Sequence, residues 1–261
     1  MRSTAARDSN QLILGFATAG SGQKPLLLRG IGPTLGSYGV GGVVADPLMR
    51  VYSSGNEIDR NDDWSTAPGA GSFGTLFNRL GAFALPGGSR DSALLRNFSP
   101  GPVSVALQGP AAGGIALVEV YDADNDPTSA ASRLVNLSAR TQVGTGDGVL
   151  TAGFVVSGGN VRVLVRAVGA TLANYGVSGT LADTTLKVIR NGTVIAENDD
   201  HATSSDRTAI DAAAAAVGAF ALTSNLDSAL LVELSPGAYS TQVSGYGNTT
   251  GIGLVEIYEV P

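Results

Sequence analysis

Two short runs of oxygen-rich side chains are the first candidates for chemistry: Asn61-Asp62-Asp63, followed by Trp64, and Asn198-Asp199-Asp200, followed by His201. Carboxylate and amide oxygens are hard ligands, and with backbone carbonyls they could contribute to the six to eight oxygens that calcium takes. The same residue types also satisfy turn backbone through their own oxygens, so a loop geometry used twice is the competing and simpler account. Neither run reads as a glycosidase pair. Adjacent side chains in extended chain point to opposite faces, and paired catalytic acids need a fixed separation that nothing in the spacing supplies. A further acidic cluster, Asp122, Asp124 and Asp126, alternates like the opening of a calcium loop. Pro127 stands where that loop needs glycine and Arg133 where it needs glutamate, so it is not an EF-hand. A calcium ion stiffening a linker is the weaker metal reading; a solvated acidic linker is the plainer one.

His201 is the only histidine and cysteine is absent. A zinc site therefore lacks its usual ligands; a Ser-His-Asp arrangement is excluded in the first copy, where Trp64 is the counterpart of His201, and in the second it has no G-x-S-x-G elbow to present its serine. His201 reads as a loop residue. Arg29 and Arg166 each lie in an apolar run, and Asp46 with Asp91, and Asp183 with Asp227, recur beside them. Charges embedded in apolar sequence need partners, which predicts internal Arg–Asp ion pairs holding glycine-rich loops. Glu119 and Glu256 are expected to face solvent or to meet an arginine on a neighbouring strand. Trp64, Tyr38, Tyr175 and Tyr246 are the aromatics best suited to a carbohydrate platform, although the aromatic fraction is only 6%.

The elements that must position these residues come in duplicate. LLLRGIGPTLGSYGVGGVVADP (26–47) matches VLVRAVGATLANYGVSGTLADT (163–184), GAFALPGGSRDSALL matches GAFALTSNLDSALL, and GIALVEVYD matches GIGLVEIYE. Arg29, Asp46 and Tyr121 recur as Arg166, Asp183 and Tyr258 at one and the same interval, which means two copies of one structural unit. The expected domains are 1–124 and 125–261, joined through the polar stretch 122–132. Within a copy the period is that of strands. GAYSTQVSG alternates Tyr239, Thr241 and Val243 with polar residues, and Asn191-Gly192 is a strong hairpin signal, with Gly55-Asn56 at the same bend in the first copy. Eight strands in the second copy suit a two-layer sandwich. One helix interrupts each copy: RTAIDAAAAAVGAF, with Asp206 or Ser205 as cap and Gly218 as terminator, and the weaker SFGTLFNRLGAF. The fold class predicted is all-β, two tandem jelly-roll-like β-sandwiches, each with one short helix.

Composition bounds the function. A net charge of -6, with 16 basic residues in no basic run, argues against a nucleic-acid partner. No apolar run approaches the roughly 20 residues of a membrane helix, so no membrane insertion is expected. The opening MRSTAARDSN lacks the apolar segment of a signal peptide. Subtracting the repeat interval from the first strand of copy two, SRLVNLSART, gives positions ahead of Met1, so copy one is expected to lack most of that strand and to expose a sheet edge.

The run VGTGDGVLTAGFVVSGG, VLVRAVGATLANYGV, DSALLVELSPGAYSTQVSG, GLVEIYEV resembles a tandem β-sandwich repeat of bacterial secreted and surface proteins. It is loosely similar to bacterial pre-peptidase C-terminal (PPC) domains, on the LSPGAYSTQVSG strand pair. The resemblance covers essentially the whole chain and implies a non-catalytic structural or adhesive module, secreted or on the cell surface, in some cases with calcium. Other copies of the chain are the expected partners, with fibres built by strand addition. The alternative expectation is a carbohydrate-binding module for surface glycans, with calcium as its candidate cofactor. No enzyme activity is expected.

Overall fold

A computed structural model describes residues 11–109, 114–125 and 131–261, and the backbone of 2–5. The chain divides into two compact units, Arg2–Val135 and Asn136–Pro261. Residues 131–135 group with the first unit, where Ser21 N donates to Ala131 O at 2.9 Å.

The first unit contains β1 (Arg2–Ala5), β2 (Leu12–Gly20), β3 (Lys24–Ile31), β4 (Leu48–Ser53), β5 (Asn56–Asn61), α1 (Phe73–Leu80), β6 (Ser92–Phe98), β7 (Gly101–Gln108) and β8 (Gly114–Asp122). Antiparallel pairing gives two four-stranded sheets, ordered β1-β8-β3-β6 and β2-β7-β4-β5. The second unit runs β9 (Ser132–Val143), β10 (Leu150–Val156), β11 (Val161–Val168), β12 (Thr184–Arg190), β13 (Thr193–Asn198), α2 (Arg207–Ala216), β14 (Ser228–Leu234), β15 (Gly237–Gly245) and β16 (Gly251–Val260). Its sheets are β9-β16-β11-β14 and β10-β15-β12-β13, the same order with every strand advanced by one copy. Eight strands in this order make each copy a jelly-roll sandwich. Even the register shift recurs, between Val51 and Tyr52 in one copy and between Val188 and Ile189 in the other.

Alternation builds the interior. Leu12, Leu14 and Phe16 of β2, and Tyr239, Thr241 and Val243 of β15, are buried, while the residues between them are partly open. The sheet containing β3 is buried on both faces: its outer side carries Leu27, Ile31 and Ala93, and α1 covers it with Phe73, Leu76 and Phe77. Burying these three side chains contributes about 1.5–3 kcal/mol each. In the second unit Ile210, Ala213 and Ala214 of α2 cover Leu164 and Ala229 in the same way. Helix α2 ends as the sequence suggests, at Gly218 with φ of 70°, and α1 ends in the same way at Gly81 with φ of 69°. Asp206 stands at the amino end of α2, but its side chain makes no capping bond there. The first hairpin turns one residue earlier than expected, at Ser54-Gly55 with φ of 49° and 79°, matching 50° and 78° at Asn191-Gly192. Positive φ at both central residues is what a tight hairpin with the strand twist requires.

Candidate functional site

In each unit one aspartate ties two loops to the same sheet. The carboxylate of Asp91, fully buried, accepts bonds from Gly32 N at 2.8 Å, Thr34 N at 3.3 Å and Thr34 Oγ1. These donors open the 3-10 turn Pro33–Tyr38, whose free N–H groups favour an anion. Asp227 does the same for the turn Ala170–Tyr175, accepting from Gly169 N at 2.7 Å and Thr171 N at 3.3 Å. Gly32 and Gly169 permit the close approach. A Cβ on either would fall 2.1 or 2.2 Å from a backbone oxygen, of Val44 or Leu181. The backbone oxygen of each aspartate holds the second loop, accepting from Trp64 N at 2.7 Å and from His201 N at 3.0 Å.

The sequence reading paired Arg29 and Arg166 with aspartates, and the structure corrects it. Arg29 lies directly opposite Glu119 in the β3–β8 register, and Arg166 opposite Glu256 in β11–β16, whereas Asp91 and Asp227 are consumed by loop backbone. Arg29 Nε is 3.1 Å from Glu119 Oε2, an ion pair whose angle does not make a hydrogen bond, and Arg29 donates to Phe83 O at 2.8 Å. Arg166 donates to Glu256 Oε2 from Nε at 2.9 Å and from its second terminal nitrogen at 2.5 Å, and to Phe220 O at 2.5 Å. Two residues on, the Tyr121 and Tyr258 hydroxyls donate to Glu119 and Glu256 at 2.8 and 2.7 Å. Burial, then the neighbouring carboxylate, push both phenols well above their ordinary range, so they remain donors. Asp46 pairs with exposed Arg90 at 2.5 Å. Asp183 pairs with no cation among the described residues; burial first, then Asp200 and Asp199, raise its pKa.

The asparagines of the two acidic runs are staples. Asn61 Oδ1 accepts from Ala93 N at 3.0 Å while its amide donates to Asp63 O at 2.9 Å; Asn198 accepts from Ala229 N at 3.0 Å and donates to Asp200 O at 3.2 Å. Each therefore fastens its loop to the adjacent strand. Among the described residues no three carboxylate or imidazole groups converge as a metal site needs. The residues expected to hold calcium, Asn61-Asp62-Asp63 and Asn198-Asp199-Asp200, each close a strand; both asparagine oxygens already accept a backbone bond, while Asp200 Oδ1 is buried without a hydrogen-bond partner among the described residues. Asp122 and Asp124 both lie 2.5 Å from the ammonium of buried Lys24, which supplies the positive charge there. Asp126 lies outside the described residues.

Of the aromatics, Trp64 is half-buried. Its ring packs on Phe77 and its Nε1 donates to Ser89 Oγ at 3.2 Å, so it is part of the helix layer rather than a platform. His201, expected as a loop residue, opens the short 3-10 turn His201–Thr203 and is buried, with Nδ1 3.3 Å from Asp227 O, a contact that needs its proton on Nδ1. Tyr38, Tyr175 and Tyr246 are exposed. The sequence reading did not foresee that Asp91 and Asp227 would serve as anchors of the tyrosine loops; the G-x-T followed later by Asp-Ser in both copies is the signal that could have shown it. A shallow polar hollow of about 420 Å³ lies beside the first acidic run, lined by Leu48, Arg60, Asn61, Asp62, Thr66, Ala67 and Pro68.

No family model matches the sequence, and no curated protein is similar to it. Among solved structures, the chain is similar to PNGF-II in a C2 crystal form, with a TM-score of 0.20 and 10% identity over 99% of this chain and 58% of that one. A P21 form of the same protein gives 0.22 and 10% over 99% and 59%. The chain spans less than two thirds of that protein, and at these scores the likeness carries no argument about fold or function.

Proposed function

We propose that the chain is a non-catalytic structural and adhesive module of a secreted or cell-surface bacterial protein. One observation carries this reading: in both copies the buried arginine faces a glutamate of its own sheet, and the fully buried aspartate is taken up by loop backbone. Arg166, Glu256 and Tyr258 bond one another beneath the helix layer, Arg29 forms an ion pair with Glu119, which accepts from Tyr121, and Asp91 and Asp227 anchor loops. A catalytic acid, base or nucleophile must instead reach a substrate.

Assembly by strand addition is part of the proposal. β9 pairs with β16 from Gly251 to Tyr258, whereas β1 pairs with β8 only from Gly114 to Leu117. From Glu119 to Asp122, β8 is registered against β3, and no second strand is registered against these four residues among the described residues. An open edge of this kind accepts an extended strand in register, here from another copy of the parent chain. Light scattering coupled to size-exclusion chromatography, with electron microscopy, tests it. Concentration-dependent oligomers or filaments are expected, and a strict monomer over a wide concentration range would rule the assembly out. Hydrolysis of a polysaccharide, ester or peptide that Asp63→Ala abolishes would overturn the non-catalytic reading.

A further inference from the structure

The buried machinery of each copy ends in one displayed ring. Tyr38 is 62% exposed and Tyr175 59% exposed, at equivalent places in the two anchored turns. Each ring is propped from beneath. Tyr38 lies 5.2 Å from Phe83 at 60°, and Tyr175 lies 5.0 Å from Phe220 at 56°, while both phenylalanines sit 4.4 Å from the guanidinium carbon of Arg29 or Arg166. The order tyrosine, phenylalanine, arginine is kept in both copies although the helix beneath is aromatic in one and alanine-rich in the other. A ring held rigid yet open is preorganised for contact, because it loses little freedom on binding.

The surroundings select the partner. Gly36, Ser37 and Gly39 around Tyr38, and Ala173, Asn174 and Gly176 around Tyr175, are small and exposed, and a Cβ at Gly36, Gly39 or Gly176 would meet nothing. A protein interface needs a contiguous core, about 800 Å² on each partner, which a lone ring among glycines does not supply. The net charge of -6 disfavours polyanions. What fits is an uncharged ring with an apolar face and hydroxyl edges, which can lie on the tyrosine while bonding the exposed backbone beside it.

We infer that Tyr38 and Tyr175 are two equivalent contact sites for a neutral polysaccharide, one in each copy. This rests on the adhesive reading above and is independent of strand addition. Two weak sites on one chain engage a repeating polymer with higher avidity than either alone.

The test is retention of the full chain by insoluble cellulose, chitin and β-1,3-glucan, compared with Tyr38→Ala, Tyr175→Ala and the double variant, with melting temperature recorded for each. Retention on at least one polymer is expected, reduced about tenfold or more by either single change and abolished by both, with the melting temperature unchanged. The double Tyr→Phe variant should keep the binding. Absence of retention on all three polymers, or retention that survives the double alanine variant, would overturn the inference. Capture only by an acidic polymer or by a protein would overturn it as well. Filaments or cell adhesion in the double alanine variant would leave the module reading standing while this one fell.

Discussion

In the first copy the guanidinium of Arg29 lies between the rings of Phe77 and Phe83, at 4.6 and 4.4 Å, and meets Glu119 without a hydrogen bond. In the second, Arg166 keeps only the Phe220 ring and bonds Glu256 through two nitrogens. The difference traces to the helices. Phe73, Leu76 and Phe77 of α1 are matched by Ile210, Ala213 and Ala214 of α2, so the second copy has alanine where the first has the extra ring. A buried cation can be satisfied by aromatic faces or by a charge-assisted bond, and the two copies show the exchange on one scaffold. The ring-rich solution leaves the carboxylate more open, at 15% against 7% exposure.

That contrast predicts unequal losses. Arg166→Met strands a buried Glu256, and chemical denaturation should show a loss of about 3–5 kcal/mol in the second copy. Arg29→Met should cost less, about 1–3 kcal/mol, because Glu119 is more open to solvent and loses no hydrogen bond with the arginine. Equal losses would break the comparison. The loop anchors, by contrast, are built alike, so Asp91→Ala and Asp227→Ala should each cost about 1–3 kcal/mol through stranded backbone donors.

The copies also differ in how they balance surface acids. Lys24 has Val161 as its counterpart at the start of β11. Burial alone would lower the pKa of Lys24, but its bonds to Asp122 and Asp124, and their charges, outweigh this and raise it above the ordinary 10.5. A raised lysine stabilises the fold fully below the unfolded value and stops doing so as pH climbs through the folded one. The first copy should therefore lose stability selectively above about pH 10.5, and Lys24→Val should remove the dependence together with about 1.5 kcal/mol. At the smallest scale, Arg90 neutralises Asp46 in the first copy where the second has Leu226. Because the pKa of Asp183 is raised, its carboxyl binds a proton more readily folded than unfolded, so the second copy gains stability as pH falls through that raised value toward 3.8. Leu226→Arg should add about 0.2–1 kcal/mol at neutral pH and flatten that acid gain, both read from melting curves.

Much of the fold was legible because it is local and doubled. Alternation marked β15, Asn191-Gly192 marked the β12–β13 hairpin, Gly218 marked the end of α2, and the repeat carried each expectation to the weaker first copy. The partners of the buried charges were legible only in part: an arginine on a neighbouring strand was one of two expectations for Glu119 and Glu256, whereas Arg29 and Arg166 read as partners of aspartates. Arg29 meets Glu119 only because β3 and β8, far apart in sequence, pair in one register, and spacing along the chain holds no trace of that register. Nor could spacing show that Asn61 and Asn198 turn both ends of their amides to backbone. Trp64 and Tyr38 look alike as exposed-aromatic candidates in the sequence; packing against α1 separates them.

The central claim is that each copy holds its tyrosine loop by its own buried anchor. Hydrogen exchange read by mass spectrometry on Asp227→Asn tests it most directly. Faster exchange is predicted across residues 169–176, with residues 32–39 unchanged; exchange that stays slow in the first segment, or rises equally in both, would contradict it.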